Sequence, residues 1–339
     1  MNGLDSCLLA EEAGLRYVST DEGGYRRVKR GRGFSYLTPG GVTINGATRK
    51  RIESLVIPPA WEDVWISSDP RGHILATGHD QAGRKQYIYH PLWEQARDEV
   101  KFDRLGPFGC GLTALRKRVD TDLRKHGLPR VKIIALAVAV LDRTLVRVGN
   151  RRYAVDNEAY GLTTLTCEHI EVDGRHVHIE YAGKGGAERL LVFEDRRLAH
   201  LMSRCQELSG QTLFSYETAD GNLASVSSSD VNSYLSDVLG GPYTAKDFRT
   251  WGASSLVLGE LARNLEVQDD GERLRAAIDV AAERLGNSRA ICRDSYVHPR
   301  VVAANEDGSL EAVWPRAKSG KWTSRDESAL RLLLEEPVS

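Results

Sequence analysis

The segment LTTLTCEHIEVDGRHVHIEYAGKGG, Leu162 to Gly186, decides the fold. Apolar and polar residues alternate on both sides of Asp173-Gly174, the strongest short-range hairpin signal in the chain. Lys184 lies in the glycine-rich turn that leaves the second strand. Around this hairpin the period becomes helical. Upstream, Leu112, Leu115, Val119 and Leu123 recur at three- and four-residue spacing, as on an amphipathic helix. VKIIALAVAVLDRTLVRVG, Val131 to Gly149, is apolar nearly all round at first, as a helix buried inside a domain would be. Beyond ERLLVFE the chain reads as helices over 196–208, 229–239, 244–264, 272–285 and from Ser288 onward, with TSRDESALRLLLEE as a last helix.

The first hundred residues have another texture. GGY, GRGFSY, TPGG, IPPAW, DPRG and HDQAG are turn-rich, and short alternating runs lie between them. Val64–Ile66, His73–Ala76 and Lys85–Tyr89 read as strands bounded by Gly, Pro and Asp. PLWEQARDEVKFDRL then reads as a polar helix linking two parts. The expected class is α+β: a small β-rich N-terminal domain over 1–95, then a mainly α-helical domain over 96–339 that carries a β-hairpin.

With 339 residues, 41% hydrophobic and 27% charged, the composition is that of a soluble globular protein. No apolar run approaches the length of a membrane span. The start, MNGLDSCLLAEEAGLRY, lacks the basic opening of a signal peptide. Five scattered cysteines, none in a C-x-x-C pair, fit free thiols in a reducing, cytoplasmic compartment. The net charge of −1 hides a segregation: residues 101–190 carry +5 and residues 191–339 carry −6. A local basic surface can bind phosphate whatever the total.

Four residues stand in short polar contexts inside this frame: Arg147 in RVGN, Lys184 in AGKGG, Arg249 in DFRTWG and Tyr296 in CRDSYVHP. A tyrosine attended by two arginines and a lysine can attack a phosphodiester without a metal. Thr244 and Asp247 open a helix as a capping box. On that helix Phe248, Trp251, Ser255, Leu258 and Ala262 share one face, which leaves Arg249 off the core stripe, facing a cleft. On a helix begun at Ser288, Tyr296 shares a face with Arg289, Arg293 and Arg300. Metal chemistry finds little here: nine histidines show no H-E-x-x-H spacing, and His176 and His178 read as a solvated strand face. G-x-x-x-x-G-K-[ST], G-x-S-x-G and Rossmann fingerprints are absent.

The ordered set GRGFSYL, IPPAWEDVWI, GRKQYIYH, RVGN, YGLTTL, AGKGG, DFRTWG and SYVHP resembles the type IB DNA topoisomerases, in their small poxvirus-like bacterial form. The resemblance implies a topoisomerase IB / tyrosine recombinase-like catalytic domain acting on double-stranded DNA in the nucleoid, as a monomer, with no cofactor. It implies Tyr296 as the nucleophile that forms a 3′-phosphotyrosyl intermediate. Arg147 and Arg249 would hold the nonbridging oxygens, and Lys184 would protonate the departing 5′ oxygen. Asn287 stands where most of the family has histidine, and Lys246 matches a lysine on the leaving-group side. Gln86, Tyr87 and Tyr89 in RKQYIYH, Tyr153 in RRYA, and Arg289 and Arg293 are the expected DNA contacts. Cleavage followed by strand rotation and ATP-independent religation would relax supercoils. The alternative is a tyrosine recombinase or integrase, whose second arginine box carries an H-x-x-R histidine that Lys246-Asp247-Phe248-Arg249 lacks.

Overall fold

A computed structural model describes residues 3–151, 154–155, 158–208 and 210–335. Its chain divides into two compact units, Met1–Asp103 and Arg104–Ser339. Tyr153 lies outside the described residues.

The first unit runs α1 (Gly3–Glu12), β1 (Tyr25–Arg30), β2 (Gly33–Leu37), α2 (Gly46–Ser54), β3 (Glu62–Ile66), β4 (Ile74–His79), β5 (Lys85–Tyr89) and α3 (Pro91–Asp103). The five strands form one antiparallel sheet in the order β2-β1-β3-β4-β5. The three expected strands are present. The two before them are joined by a tight turn in which Gly31 takes φ +56°, a left-handed value that glycine adopts without steric cost. Ile52 of α2 packs with Val64, Ile66 and Ala76 of the sheet to make the core. A smaller cluster of Ala10, Leu15 and Trp93 joins α1 to α3.

The second unit begins with α4 (Leu105–Asp122) and α5 (Arg130–Thr144). Then come β6 (Ile170–Asp173), β7 (His176–Ala182) and β8 (Glu188–Glu194), a three-stranded antiparallel sheet in sequence order. ERLLVFE thus extends the expected hairpin by a strand. After α6 (Arg196–Glu207) a second hairpin appears, β9 (Ser215–Glu217) with β10 (Leu223–Ser225). Helices follow: α7 (Ser228–Leu239), α8 (Ala245–Arg263), α9 (Asp270–Leu285), α10 (Arg289–Tyr296), α11 (Pro299–Ala303), α12 (Ser309–Val313) and α13 (Arg325–Glu335). The architecture is therefore α+β, with an antiparallel sheet first and a mainly helical unit second.

Two helices differ from expectation in ways that reach the site. The capping box of α8 forms, with Asp247 accepting from the Thr244 backbone at 2.7 Å and from its hydroxyl at 3.0 Å. But α8 runs through the middle of the unit and is buried on nearly every side, Arg249 included. A one-sided stripe does not describe a central helix. The expected arginine face on α10 keeps Arg289 and Arg293 on the helix of Tyr296 but loses Arg300. Pro299 disfavours helix just before it, so α10 stops at Tyr296 and Arg300 starts α11, donating to the Leu334 carbonyl at 3.2 Å. Arg289 turns to Asp279 at 2.6 Å.

Arg116 of α4 ties three further elements together. It meets Asp142 of α5 at 2.7 Å and Glu327 of α13 at 2.6 Å, and Trp251 of α8 donates to the same Glu327 at 3.0 Å. Burial pushes the Glu327 carboxyl up, but Arg116 outweighs it and holds the group below its usual range. Arg116→Met is expected to cost about 3 kcal/mol, because it strands two half-buried carboxylates. A depressed carboxyl contributes stability above its unfolded pKa and loses it as pH falls through the folded value. The loss on substitution should therefore be present at neutral pH and shrink below about pH 4. Urea unfolding at both pH values checks this; a loss under about 1 kcal/mol at neutral pH would show that the network is not a fastening.

Candidate active site

Arg147 sits in the segment that follows α5. Leu145 takes a left-handed φ of +56° and ends the helix. Beyond it two stretches of chain cross at Gly149 and Gly161. A Cβ on Gly161 would stand 2.6 Å from the Gly149 Cα and 2.7 Å from the Arg147 carbonyl oxygen. The Leu162 amide donates to that same oxygen at 2.9 Å, and the Thr163 amide donates to Val148 at 2.8 Å. The backbone of Arg147 is thus clamped by a crossing that only bare Cα atoms allow.

Arg249 is 4% exposed. Its Nη1 donates to the Leu145 carbonyl and its Nη2 to the Leu285 carbonyl at 3.0 Å, so it fastens the C-terminal ends of α5 and α9. Its guanidinium carbon lies 4.9 Å from the centre of the Tyr296 ring, within cation–π range. Its Nε is buried without a hydrogen-bond partner. Just past α9, Gly286 turns left-handed at φ +62° and delivers Asn287. The Asn287 Oδ1 accepts from Arg147, while its Nδ2 is buried without a partner.

Tyr296 ends α10. Its carbonyl accepts from the Ser254 hydroxyl at 3.1 Å, which in turn accepts from the His298 amide at 2.9 Å. Burial raises the phenol pKa, but Arg249, by charge and hydrogen bonding, and then Arg147 and Lys246 more than reverse this and leave it lowered. Tyr181 of β7 is buried beside the same arginines; there burial wins and its phenol is raised. Lys246 is exposed in the first turn of α8. Lys184 is exposed in the β7–β8 turn and makes no hydrogen bond or ion pair among the described residues. That turn closes through Gly183 to Ala187 at 2.8 Å and Gly186 to Gly183 at 3.0 Å.

The structure therefore links Arg147, Arg249, Asn287 and Tyr296 by direct contact or charge, and leaves Lys184 on a neighbouring turn. Arg293 is exposed and unpaired among the described residues. In the first unit, Tyr87 and Tyr89 stack with centroids 5.6 Å apart. Gln86, on the opposite strand face, donates to Asp80 at 2.8 Å. Tyr181, Ser254 and Arg189 were not anticipated. Tyr181 and Arg189 face each other across the strands that flank the glycine-rich turn, so the only sequence signal was their distance from that turn. No three His, Cys, Asp or Glu side chains among the described residues group to hold a metal.

A tyrosine set against a buried arginine, with further cations beside it, fits a protein that handles phosphodiesters. Residues 90–314 match the family model of the eukaryotic DNA topoisomerase I catalytic core, and residues 33–80 match that of the bacterial DNA topoisomerase IB N-terminal domain. The chain belongs to the type IB DNA topoisomerases, and so relaxes DNA by a tyrosine-based mechanism. It is 28% identical to DNA topoisomerase 1B of Acanthamoeba polyphaga mimivirus, over 81% of this chain and 85% of that one. It is 23% identical to DNA topoisomerase 1B of Vaccinia virus (strain Copenhagen), over 73% and 76%. The site-specific recombinase XerH shares 14% identity at a TM-score of 0.35, covering 58% of this chain and 51% of that one, too little to bear on the mechanism.

Proposed function

We propose that Tyr296 carries the reaction, with Arg147, Arg249 and Asn287 around the scissile phosphate and Lys184 at the leaving group. The Tyr296 oxygen loses its proton to solvent and bonds to phosphorus. The bond from phosphorus to the 5′ oxygen breaks, its electron pair stays on that oxygen, and Lys184 supplies the proton there. The products are a 3′-phosphotyrosyl enzyme and a free 5′ hydroxyl. Rotation of the free end and the reverse attack restore the strand. One phosphodiester replaces another, so no ATP is required.

The observation that carries this reading is that two of the six buried side-chain nitrogens left without partners among the described residues, Arg249 Nε and Asn287 Nδ2, lie together around Arg147 and Tyr296. An unmet buried donor costs about 1–3 kcal/mol, a cost that a bound phosphoryl oxygen would remove. Two guanidiniums can stabilise charge on the five-coordinate transition state in place of a divalent ion. The β-rich first unit, with Tyr87, Tyr89 and Gln86 on one strand, is assigned to duplex binding, together with Lys246, Arg289 and Arg293 of the second unit. Residence at the nucleoid in the cytoplasm and action as a monomer belong to the same proposal. No helix among the described residues is long and apolar enough to cross a membrane. The test is relaxation of a supercoiled plasmid without recombination sites, in EDTA and without ATP. A ladder of topoisomers is expected; an absolute need for Mg²⁺ or ATP would defeat the proposal.

Asn287 sharpens one prediction. It offers an acceptor to Arg147 and a spare donor, and a neutral histidine offers one of each as well. Protonated histidine has only donors and would repel Arg147. Asn287→His should keep or raise the cleavage rate above the histidine pKa of about 6.5 and lose activity below it. Single-turnover cleavage at about pH 8 and about pH 5.5 reads this out; a large loss at the higher pH would show that asparagine does something histidine cannot.

A further inference from the structure

Arg189 of β8 sits on the inward strand face, in line with buried Leu191 and Phe193 and opposite buried Tyr181. It has no carboxylate partner among the described residues, which is unusual for a half-buried cation. Its contacts point in two directions. Its stem packs on the base of the β7–β8 turn, where a Cβ on Gly183 would meet the Arg189 Cγ at 3.0 Å. Its guanidinium packs directly against Gly286, where a Cβ would stand 1.9 Å from Nη1 and 2.2 Å from Cζ. Its Nη2 also donates to the Arg284 carbonyl at 3.3 Å. One side chain therefore joins the turn that holds Lys184 to the end of α9, from which Gly286 and Asn287 lead into the helix of Tyr296.

We propose that Arg189 is the positioning residue for Lys184: it fixes the base of the glycine-rich turn to the end of α9, so that the lysine meets the leaving oxygen. This rests on Lys184 being the proton donor. Lys184 needs such help, because its turn has three glycines and its ammonium has no anchor of its own. Gly286 contributes by leaving room for the planar guanidinium, which lysine would not fill in the same way.

The experiment uses a duplex oligonucleotide containing one cleavage site mapped on plasmid DNA, with either the natural phosphodiester or sulfur replacing its bridging 5′ oxygen. A departing thiolate is far more stable than an alkoxide and needs no proton. Lys184→Ala and Arg189→Ala should each slow cleavage of the natural strand, Arg189→Ala by about 10²-fold, the scale of a small misplacement. Both should come within about threefold of the unaltered enzyme on the sulfur substrate. Arg189→Lys, which keeps the charge and most of the stem, should show the same pattern more weakly, and guards against a variant that fails to fold. If Lys184→Ala is rescued and Arg189→Ala is slow on both substrates, or on neither, Arg189 does not act through the lysine. If Lys184→Ala is not rescued, the lysine is not the acid and the proposal falls with that reading.

Discussion

Tyr296→Phe is expected to abolish relaxation and the covalent DNA adduct, a loss of at least about 10⁴-fold, as when other covalent nucleophiles are removed. The substitution is clean because the ring has two jobs and only one needs oxygen. The ring packs against the core and lies 4.9 Å from the Arg249 guanidinium, and phenylalanine preserves both contacts. The carbonyl of residue 296 still accepts from Ser254, so the end of α10 keeps its place. Noncovalent binding to plasmid, followed by gel shift, should therefore remain near that of the unaltered enzyme while adducts trapped with detergent disappear. A variant that still relaxed supercoils would place the nucleophile elsewhere.

Arg249→Ala should cost both rate and stability. Loss of a preorganised donor to transition-state charge is worth about 10²- to 10³-fold in rate. The carbonyls of Leu145 and Leu285 would also lose their donor, at about 1–3 kcal/mol for each buried group left unmet. A third effect has a sign that can be followed. Arg249 is the largest influence opposing the rise that burial gives the Tyr296 phenol. Without it the phenol pKa moves up, less phenolate is present at any given pH, and the pH–rate profile shifts to the alkaline side. Single-turnover cleavage across pH, with urea unfolding of the same variant, separates the three effects. A rate within threefold of normal and an unmoved profile would remove Arg249 from the chemistry. Arg249→Lys should recover only part of the loss, because one ammonium cannot span two carbonyls and still face the ring.

Much of this was legible in the chain, and the misses have physical causes. The hairpin about Asp173-Gly174 and the helix start at Thr244 are local signals, and both formed where the residues said. The position of Arg249 was not local. Counting around α8 finds one apolar stripe, yet that helix packs against neighbours on several sides, so small residues such as Ala253 and Ser254 are buried too. Arg300 was placed with Tyr296 by extending a period through Pro299, where the backbone leaves the helix. The β9–β10 hairpin has a turn glycine, Gly221 at φ +76°, but its strands are three residues each, too short for alternation to show. The Arg189–Gly286 contact joins residues far apart in sequence, and no periodicity can report it.

The crossing of Gly149 and Gly161 has an implication for how this enzyme tolerates change. Position 287 presents a side chain to other side chains, so a different residue can be accommodated by small rotations, and asparagine is one workable occupant. At the crossing an added Cβ meets backbone, 2.6 Å from Gly149 if it is placed on Gly161 and 3.0 Å from Gly161 if it is placed on Gly149, and neither segment can move away without dragging Arg147 with it. Mutational scanning of the site should therefore find its most intolerant positions at these two glycines, with position 287 more permissive than either.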